Sequence, residues 1–364
     1  SVCPFCGVGC QISLKIKDDK VKWVDGIDGP ANENRLCVKG RFGFDYIDHS
    51  HRLKKPLIRI DGAPKGLNVN PEDPSTHFRE ASWEEALTFA ANGLRGRGRE
   101  VAGFGSAKCT NEEAYLFQKF IRQGFGHNNV DHCTRLCHAS SVAALMENVG
   151  SAAVTATFNE IENADVAIVI GANPSENHPV AATYFKQFSK RGGKLIVMDP
   201  RGQALKRHSS HMLQFRPGAD VSMLNAIMHV IVEEGLYDDD YVAKYTENWE
   251  AQKEHLKAFS PEKMAPICGI DAEMLRDVAR TFANAKAGMI FWGMGVSQHI
   301  HGTDNSRCLI SLAFMTGNVG KPGAGLHPLR GQNNVQGASD AGMIPMFLPD
   351  YQPVSDDGVR SAFT

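Results

Sequence analysis

Four cysteines near the start of the chain form its first reactive constellation. Cys3, Cys6 and Cys10 stand in CPFCGVGC with the spacing CxxCxxxC, and Cys37 follows in RLCVKG beyond residues 11–36. Three close thiolates and a distant fourth suit a [4Fe-4S] cluster, whose irons take soft sulfur ligands, and the intervening glycines let backbone N–H groups approach the sulfides. Structural zinc more often shows two CxxC pairs, so zinc is the chief rival. A second constellation is HCTRLCHASS, residues 132–141, in which His138 follows Cys137 at once. Taken alone, that pair fits a zinc ligand, a thiolate nucleophile or a less common centre.

The elements that must position these groups read as an α/β pattern. Residues 1–55 form a small Cys- and Gly-rich unit that runs into the basic stretch HRLKKPLIR. From Pro56 onward, short apolar runs alternate with amphipathic helical stretches, as βαβ units with a largely parallel sheet require. Four apolar strands each run into a polar or glycine-bearing loop: GFGSAK, GANPSENH, DPRG and GMGVSQH. In open α/β sheets the ligand crevice lies beyond the C-terminal strand ends, so these four loops are expected to converge on one large polar ligand or two. GFGSAK and GMGVSQ begin GxG but lack the third glycine of a dinucleotide fingerprint, which argues against a nicotinamide site in this chain. Ser82 with Glu85 predicts a capping box, and Val221, Leu224, Ile227, Met228 and Ile231 predict one helical face that stops near Gly235.

Bulk properties narrow the class. The 364 residues are 42% hydrophobic and 22% charged, which suits two or three globular domains with buried cores. A formal net charge of -2 supplies no broad cationic field, so nucleic acid and anionic membrane surfaces are not indicated as partners. Apolar runs such as ADVAIVIGA fall short of the roughly 20 residues needed to span a bilayer. Nine cysteines, four of them crowded at the start, argue for metal ligation in a reducing compartment over a secreted disulfide scaffold. No signal peptide is visible, and a cysteine motif so close to Ser1 leads to the expectation that upstream residues are missing. A cytoplasmic location is expected, with export left open.

With the cluster motif, the loops beyond the strands, CTRLCHASS and PLRGQNNVQGASDAG, the sequence resembles the molybdenum or tungsten bis-molybdopterin guanine dinucleotide oxidoreductases. Among them it looks most like formate dehydrogenase catalytic subunits, over nearly the whole chain and in the family's motif order. The most specific parts are the Cys-His pair and RGQNN. The resemblance implies a [4Fe-4S] domain at 1–55, a first α/β domain at 56–134 continued by 332–364, and a second α/β domain at 135–331 that binds pterin guanine dinucleotide. Both α/β parts are expected to be doubly wound around largely parallel sheets. The family's C-terminal β-barrel-like domain is not in this chain, which leads to the expectation of a truncated sequence.

The resemblance also assigns residues. Cys137 becomes the protein thiolate on molybdenum or tungsten, beside a sulfido ligand, and His138 its neighbour, expected to take or relay a proton or else to stabilise charge. Arg330 becomes the formate-binding group, because a guanidinium can hold both carboxylate oxygens in one orientation. Formate is then oxidised to carbon dioxide, and two electrons leave singly through the cluster ligated by Cys3, Cys6, Cys10 and Cys37. Lys39 matches the family lysine between cluster and pterin. Positions matching the nucleotide contacts are Asn173, Glu176, His178, Asp199, Arg201, Gly218, Asp220, Met294, Gly295, Gln298 and Gln332. Cys109, Cys133, Cys268 and Cys308 are expected to be small buried residues without such a role. Similarity to the cytoplasmic, Cys-containing enzymes implies iron-sulfur and flavin partner subunits that reduce NAD.

Three rivals stand beside this reading. A nitrate reductase of the same family generally lacks both the histidine after the metal cysteine and the arginine of RGQNN. The large cluster-bearing subunit of respiratory NADH dehydrogenase is an electron-transfer scaffold without molybdenum, and retention of Cys137, His138 and Arg330 counts against it. A zinc-dependent binding module is the third.

Overall fold

The computed structural model describes residues 1–66, 68–70 and 72–363. The chain opens with an antiparallel hairpin, β1 (Ile12–Lys17) and β2 (Lys20–Gly26), turned at Asp18 and Asp19. The short helix Val38–Phe42 starts directly after Cys37. A second antiparallel pair, β3 (Leu57–Arg59) and β4 (Phe78–Glu80), precedes the helix Trp83–Leu94. At Ser82 only half of the expected capping box forms. The hydroxyl accepts from the Glu85 amide at 3.1 Å, but the Glu85 carboxylate turns to Arg79 at 2.6 Å, where a charge-assisted bond outcompetes a backbone amide.

Two parallel arrangements follow. β5 (Gly103–Phe104) and β6 (Val130–Asp131) pair in parallel, joined through the helix Asn111–Phe125, which begins in a complete capping box between Thr110 and Glu113. The principal sheet contains β7 (Val166–Ile170), β8 (Lys194–Met198), β9 (His211–Leu213), β10 (Gly288–Trp292) and β11 (Gly325–Pro328), all parallel, in the spatial order β11-β10-β7-β8-β9. Read from β9, the strands run 3-2-1-4-5 in chain order, so the order reverses between β7 and β10. That reversal opens a crevice at the C-terminal strand ends.

Both faces of this sheet are covered. Val166, Ile168 and Ile170 of β7 point into one apolar cluster, with Ile290 and Trp292 of β10 and the helices Asp220–Glu233, Ala272–Ala283 and Gly302–Met315. Ala167 and Val169, with Met289 and Phe291, point into the other, against the helix Pro179–Lys190. The strict alternation of faces follows from the two-residue repeat of a strand, and burial on both faces explains why the strands read as unbroken apolar runs. In Asp220–Glu233, Leu224, Ile227, Met228 and Ile231 are buried while Val221 is only partly so, and Met223, Ala226 and Val230 are buried too, so the helix is covered more widely than the single expected face; Gly235 follows it at a φ of 64°. Cys3, Val8, Cys10, Ile12 and Val24 join the second cluster, so the N-terminal unit shares its core with one sheet face. A third cluster unites Ala114, Ile121 and Val130 with Ala338 and Met343. No helix among the described residues is long and apolar enough to cross a membrane.

Three of the four expected loops converge. GANPSENH follows β7, DPRG follows β8 and GMGVSQH follows β10. In GFGSAK the first two residues are β5 itself, which pairs with β6 outside the principal sheet, and the Lys108 ammonium reaches back to the Pro4 and Phe5 carbonyls at 2.8 and 2.9 Å. At the reversal point, the loops after β7 and β10 touch backbone to backbone. Gly171 has a φ of 57°, and a Cβ there would stand 2.7 Å from the Val296 nitrogen. Gly171→Ala is therefore expected to cost about 1–3 kcal/mol, read as a lower urea midpoint at unchanged slope.

Candidate functional site

The cysteine loop is folded back on itself by the Cys3 amide, which donates to the Cys10 carbonyl at 2.8 Å. Cys3, Cys6, Cys10 and Cys37 line one void of about 60 Å³, together with Phe5 and Lys39. Burial, reinforced by mutual repulsion among the thiolates, pushes Cys10 up to about 12. Gathering four thiolates is thus costly until cationic irons balance them, which is the chemistry expected of a cluster site.

Next to this void lies a cavity of about 790 Å³ at the C-terminal ends of the principal sheet. Of the sequence-predicted nucleotide positions, Asn173, His178, Asp199, Arg201, Gly218, Asp220, Met294 and Gly295 line it. Phe5, Cys6, Lys39 and Asn177 line both voids, so Lys39 stands between them. Two buried polar atoms at the large cavity, Asn173 Oδ1 and His178 Nδ1, lack a hydrogen-bond partner. Burying such atoms is costly unless something pairs with them, so the site is built for a polar ligand. Asp220 is buried, which raises its carboxyl above the usual range against the opposing effects of its own backbone and of His299. Asp199 accepts from the Arg201 amide at 2.8 Å and from Gln203 at 3.2 Å.

Three predicted positions fall outside this cavity. Glu176 is exposed on the turn Pro174–Asn177. Gln298 donates to the Leu136 carbonyl at 2.6 Å, and Gln332 accepts from the Cys133 thiol at 2.6 Å, so both amides are already engaged. Phe5, Phe215 and His299 line the cavity without having been singled out in the sequence; His299 is the residue after Gln298 in the same loop, a signal that was available. Cys268 and Cys308 are buried as expected, but Cys109 and Cys133 are only partly so, because each thiol donates at the rim of a turn, to Ser106 and Gln332 respectively.

Cys137, His138 and Arg330 meet beside the cavity. Cys137 ends the turn Cys133–Leu136, and His138 caps the helix Ala139–Asn148. The Cys137 sulfur lies 3.6 Å from the Met294 sulfur, which places it at the cavity's β10 loop. Burial raises the Cys137 thiol, Cys133 adds to this, and Arg330 opposes it. Arg330 follows β11, and both hydrogen bonds of its guanidinium come from Nη2, to the Ala152 carbonyl at 2.7 Å and to Gln336 at 3.0 Å. The remaining donors of that fork make no hydrogen bond among the described residues. Arg330 lines a second cavity, of about 290 Å³, with His178, His327 and Phe158.

His138 is fully buried, and burial pushes it down to about 3. Its Nδ1 lies 3.0 Å from the Ser297 hydroxyl and its Nε2 lies 3.2 Å from the Leu329 carbonyl. Both nitrogens of the ring are thus engaged, so of the two roles expected for His138, taking or relaying a proton and stabilising charge, this arrangement favours the second.

Comparison with known proteins gives a consistent result. Residues 52–359 match the family model described as molybdopterin oxidoreductase, and residues 1–49 match the molybdopterin oxidoreductase Fe4S4 domain. The chain is 40% identical over 357 residues to the F420-dependent formate dehydrogenase subunit alpha of Methanocaldococcus jannaschii, covering 98% of this chain and 51% of that one. It is 39% identical over 373 residues to formate dehydrogenase H of Escherichia coli, covering 100% of this chain and 50% of that one. It thus spans about half the length of these relatives. Among solved structures, acetylene hydratase from Pelobacter acetylenicus superposes with a TM-score of 0.77 at 24% identity, covering 89% of this chain and 44% of that one, a likeness of fold.

Proposed function

The chain belongs to the molybdopterin oxidoreductases, with a Fe4S4 domain at its start, and from that premise we propose that it carries the formate-oxidising centre of a formate dehydrogenase. The observation that carries this reading is Arg330: a half-buried fork, anchored through one nitrogen, with its other donors left for a small carboxylate beside Cys137.

When bound, molybdenum or tungsten with its two pterins and a sulfido ligand supplies a two-electron sink and an acceptor for the formate hydrogen. Cys137 would hold the metal. Asn173, His178, Asp199, Arg201, Gly218, Asp220, Met294 and Gly295 would hold the pterin guanine dinucleotides, with the two unpaired atoms of Asn173 and His178 as ready partners. Arg330 would orient formate by paired charge-assisted hydrogen bonds, and orientation is a large part of catalysis for so small a substrate. Cys3, Cys6, Cys10 and Cys37 would hold the [4Fe-4S] cluster. The division into 1–55, 56–134 with 332–364, and 135–331 is part of the proposal, and the cluster joining Ala114 and Ile121 to Ala338 and Met343 supports it.

Lys39, which lines both voids, would place a positive charge and hydrogen-bond donors between the pterin and the cluster. A cation there favours the reduced, more negative cluster, so Lys39→Gln is expected to lower the cluster's reduction potential by about 60 mV, a factor of ten for a one-electron couple. A redox titration followed by electron paramagnetic resonance reads this directly. Beyond the cluster we propose iron-sulfur and flavin partner subunits that reduce NAD in the cytoplasm; the relative named for F420 marks another acceptor to be tried alongside.

The test is anaerobic addition of formate to the cofactor-loaded protein while the visible absorption of the cluster is followed. Rapid bleaching is expected. No bleaching, with molybdenum or tungsten and iron present and dithionite able to reduce the cluster, would overturn the formate reading and favour a nitrate reductase.

A further inference from the structure

The three carbonyls around Arg330 are each held by a donor from a different part of the chain. The Leu329 carbonyl is met by His138 Nε2 at 3.2 Å, the Arg330 carbonyl by His178 Nε2 at 2.7 Å, and the Gly331 carbonyl by the Gly7 amide at 3.0 Å. A Cβ on Gly7 would run into the Arg330 carbonyl, so the cluster loop lies directly against the segment 329–331.

Behind His138 runs a buried line of hydrogen bonds. Trp292 Nε1 donates to the Ser141 hydroxyl at 2.7 Å, the Ser141 and Ser297 hydroxyls are 2.5 Å apart, and Ser297 Oγ is 3.0 Å from His138 Nδ1. Trp292, Ser141 and His138 are wholly buried and Ser297 nearly so. The Leu329 amide donates to the Trp292 carbonyl at 2.8 Å, which closes the line into a ring.

The two ends set its direction. An indole N–H only donates and a carbonyl only accepts, so Nε2 must carry the hydrogen that meets Leu329. Nδ1 is then a lone pair, Ser297 donates to it, and Ser141 donates to Ser297. The opposite tautomer would press a lone pair against the Leu329 carbonyl and leave that buried oxygen unpaired.

We infer that Ser297, through Ser141 and Trp292 on one side and His138 on the other, is a positioning residue that fixes the His138 ring as an Nε2–H donor and thereby holds the segment 329–331 that carries Arg330. The consequence for formate rests on the function proposed above; the lock itself does not.

Three readouts of the cofactor-loaded, oxidised protein test it, comparing wild type with Ser297→Ala and Ser297→Thr. Nitrogen-15 histidine NMR, with His138→Gln identifying the signal, is expected to show Nε2 protonated and Nδ1 unprotonated but hydrogen-bonded in the wild type, and in Ser297→Ala the same tautomer with the Nδ1 signal moved to that of a nitrogen lacking a hydrogen bond. Hydrogen exchange in peptides covering 325–332 is expected to quicken about tenfold in Ser297→Ala, the loss of roughly one hydrogen bond's hold. The formate KM is expected to rise about tenfold with kcat within about twofold, as loss of uniform binding dictates. Ser297→Thr, which keeps the hydroxyl, is expected to restore all three. A wild-type Nδ1–H tautomer, or Ser297→Ala with unchanged exchange at 325–332, overturns the inference. Absence of any formate response with the tautomer and exchange results as expected would count against the formate reading and leave the lock standing.

Discussion

Arg330→Ala is expected to lower kcat/KM for formate by about 10²–10⁴-fold while molybdenum or tungsten and iron stay at wild-type content. A hydrogen bond to a charged group contributes about 1.5–3 kcal/mol, and a formate held by two such bonds loses both. Because formate has little else to bind by, no remote contact can compensate. Arg330→Lys separates charge from geometry: it keeps a cation but not the fork, so it should recover only part of the loss. Steady-state kinetics with metal content measured on the same preparations checks this, and wild-type-like kinetics in Arg330→Ala would remove Arg330 from the substrate site. The variant also frees the Ala152 carbonyl and Gln336 from their partner, so hydrogen exchange in that region should be compared before the kinetic loss is assigned to formate alone.

Cys137→Ala should abolish turnover, by more than about 10³-fold, because the metal would lose its protein ligand and the electronic character that a soft thiolate confers. Cys137→Ser replaces sulfur by oxygen at the same position and should remain severely impaired. X-ray absorption at the metal edge would count one sulfur fewer in either variant. Unchanged turnover at full metal occupancy would contradict the ligand assignment and turn attention to Cys133, four residues earlier and partly exposed.

Much of the chemistry was legible along the chain because it depends on residue type and short spacing. CxxCxxxC with a distant Cys37 indicated a cluster site, and those four thiols surround one void. Apolar runs ending in GANPSENH, DPRG and GMGVSQH indicated a crevice, and the loops converge there because parallel strands align all their C-terminal ends on one side. GFGSAK shows where that reasoning stops: its strand has the same local character but pairs with Val130–Asp131, and strand pairing is decided by partners remote in sequence. Gln298 and Gln332 show the same limit from the side of chemistry, since an amide's local motif says nothing of the carbonyl or thiol that occupies it once the chain is folded.

By itself, then, the order of residues determined the α/β pattern, the family and the kind of cofactors it carries. Only the tertiary structure decided that the cluster loop, His138 and His178 would each grip a carbonyl of residues 329–331, and that His138 would spend its N–H there. The reason is physical: a side chain's donor or acceptor capacity is set by its type, but which capacity remains free is set by the groups that burial brings against it.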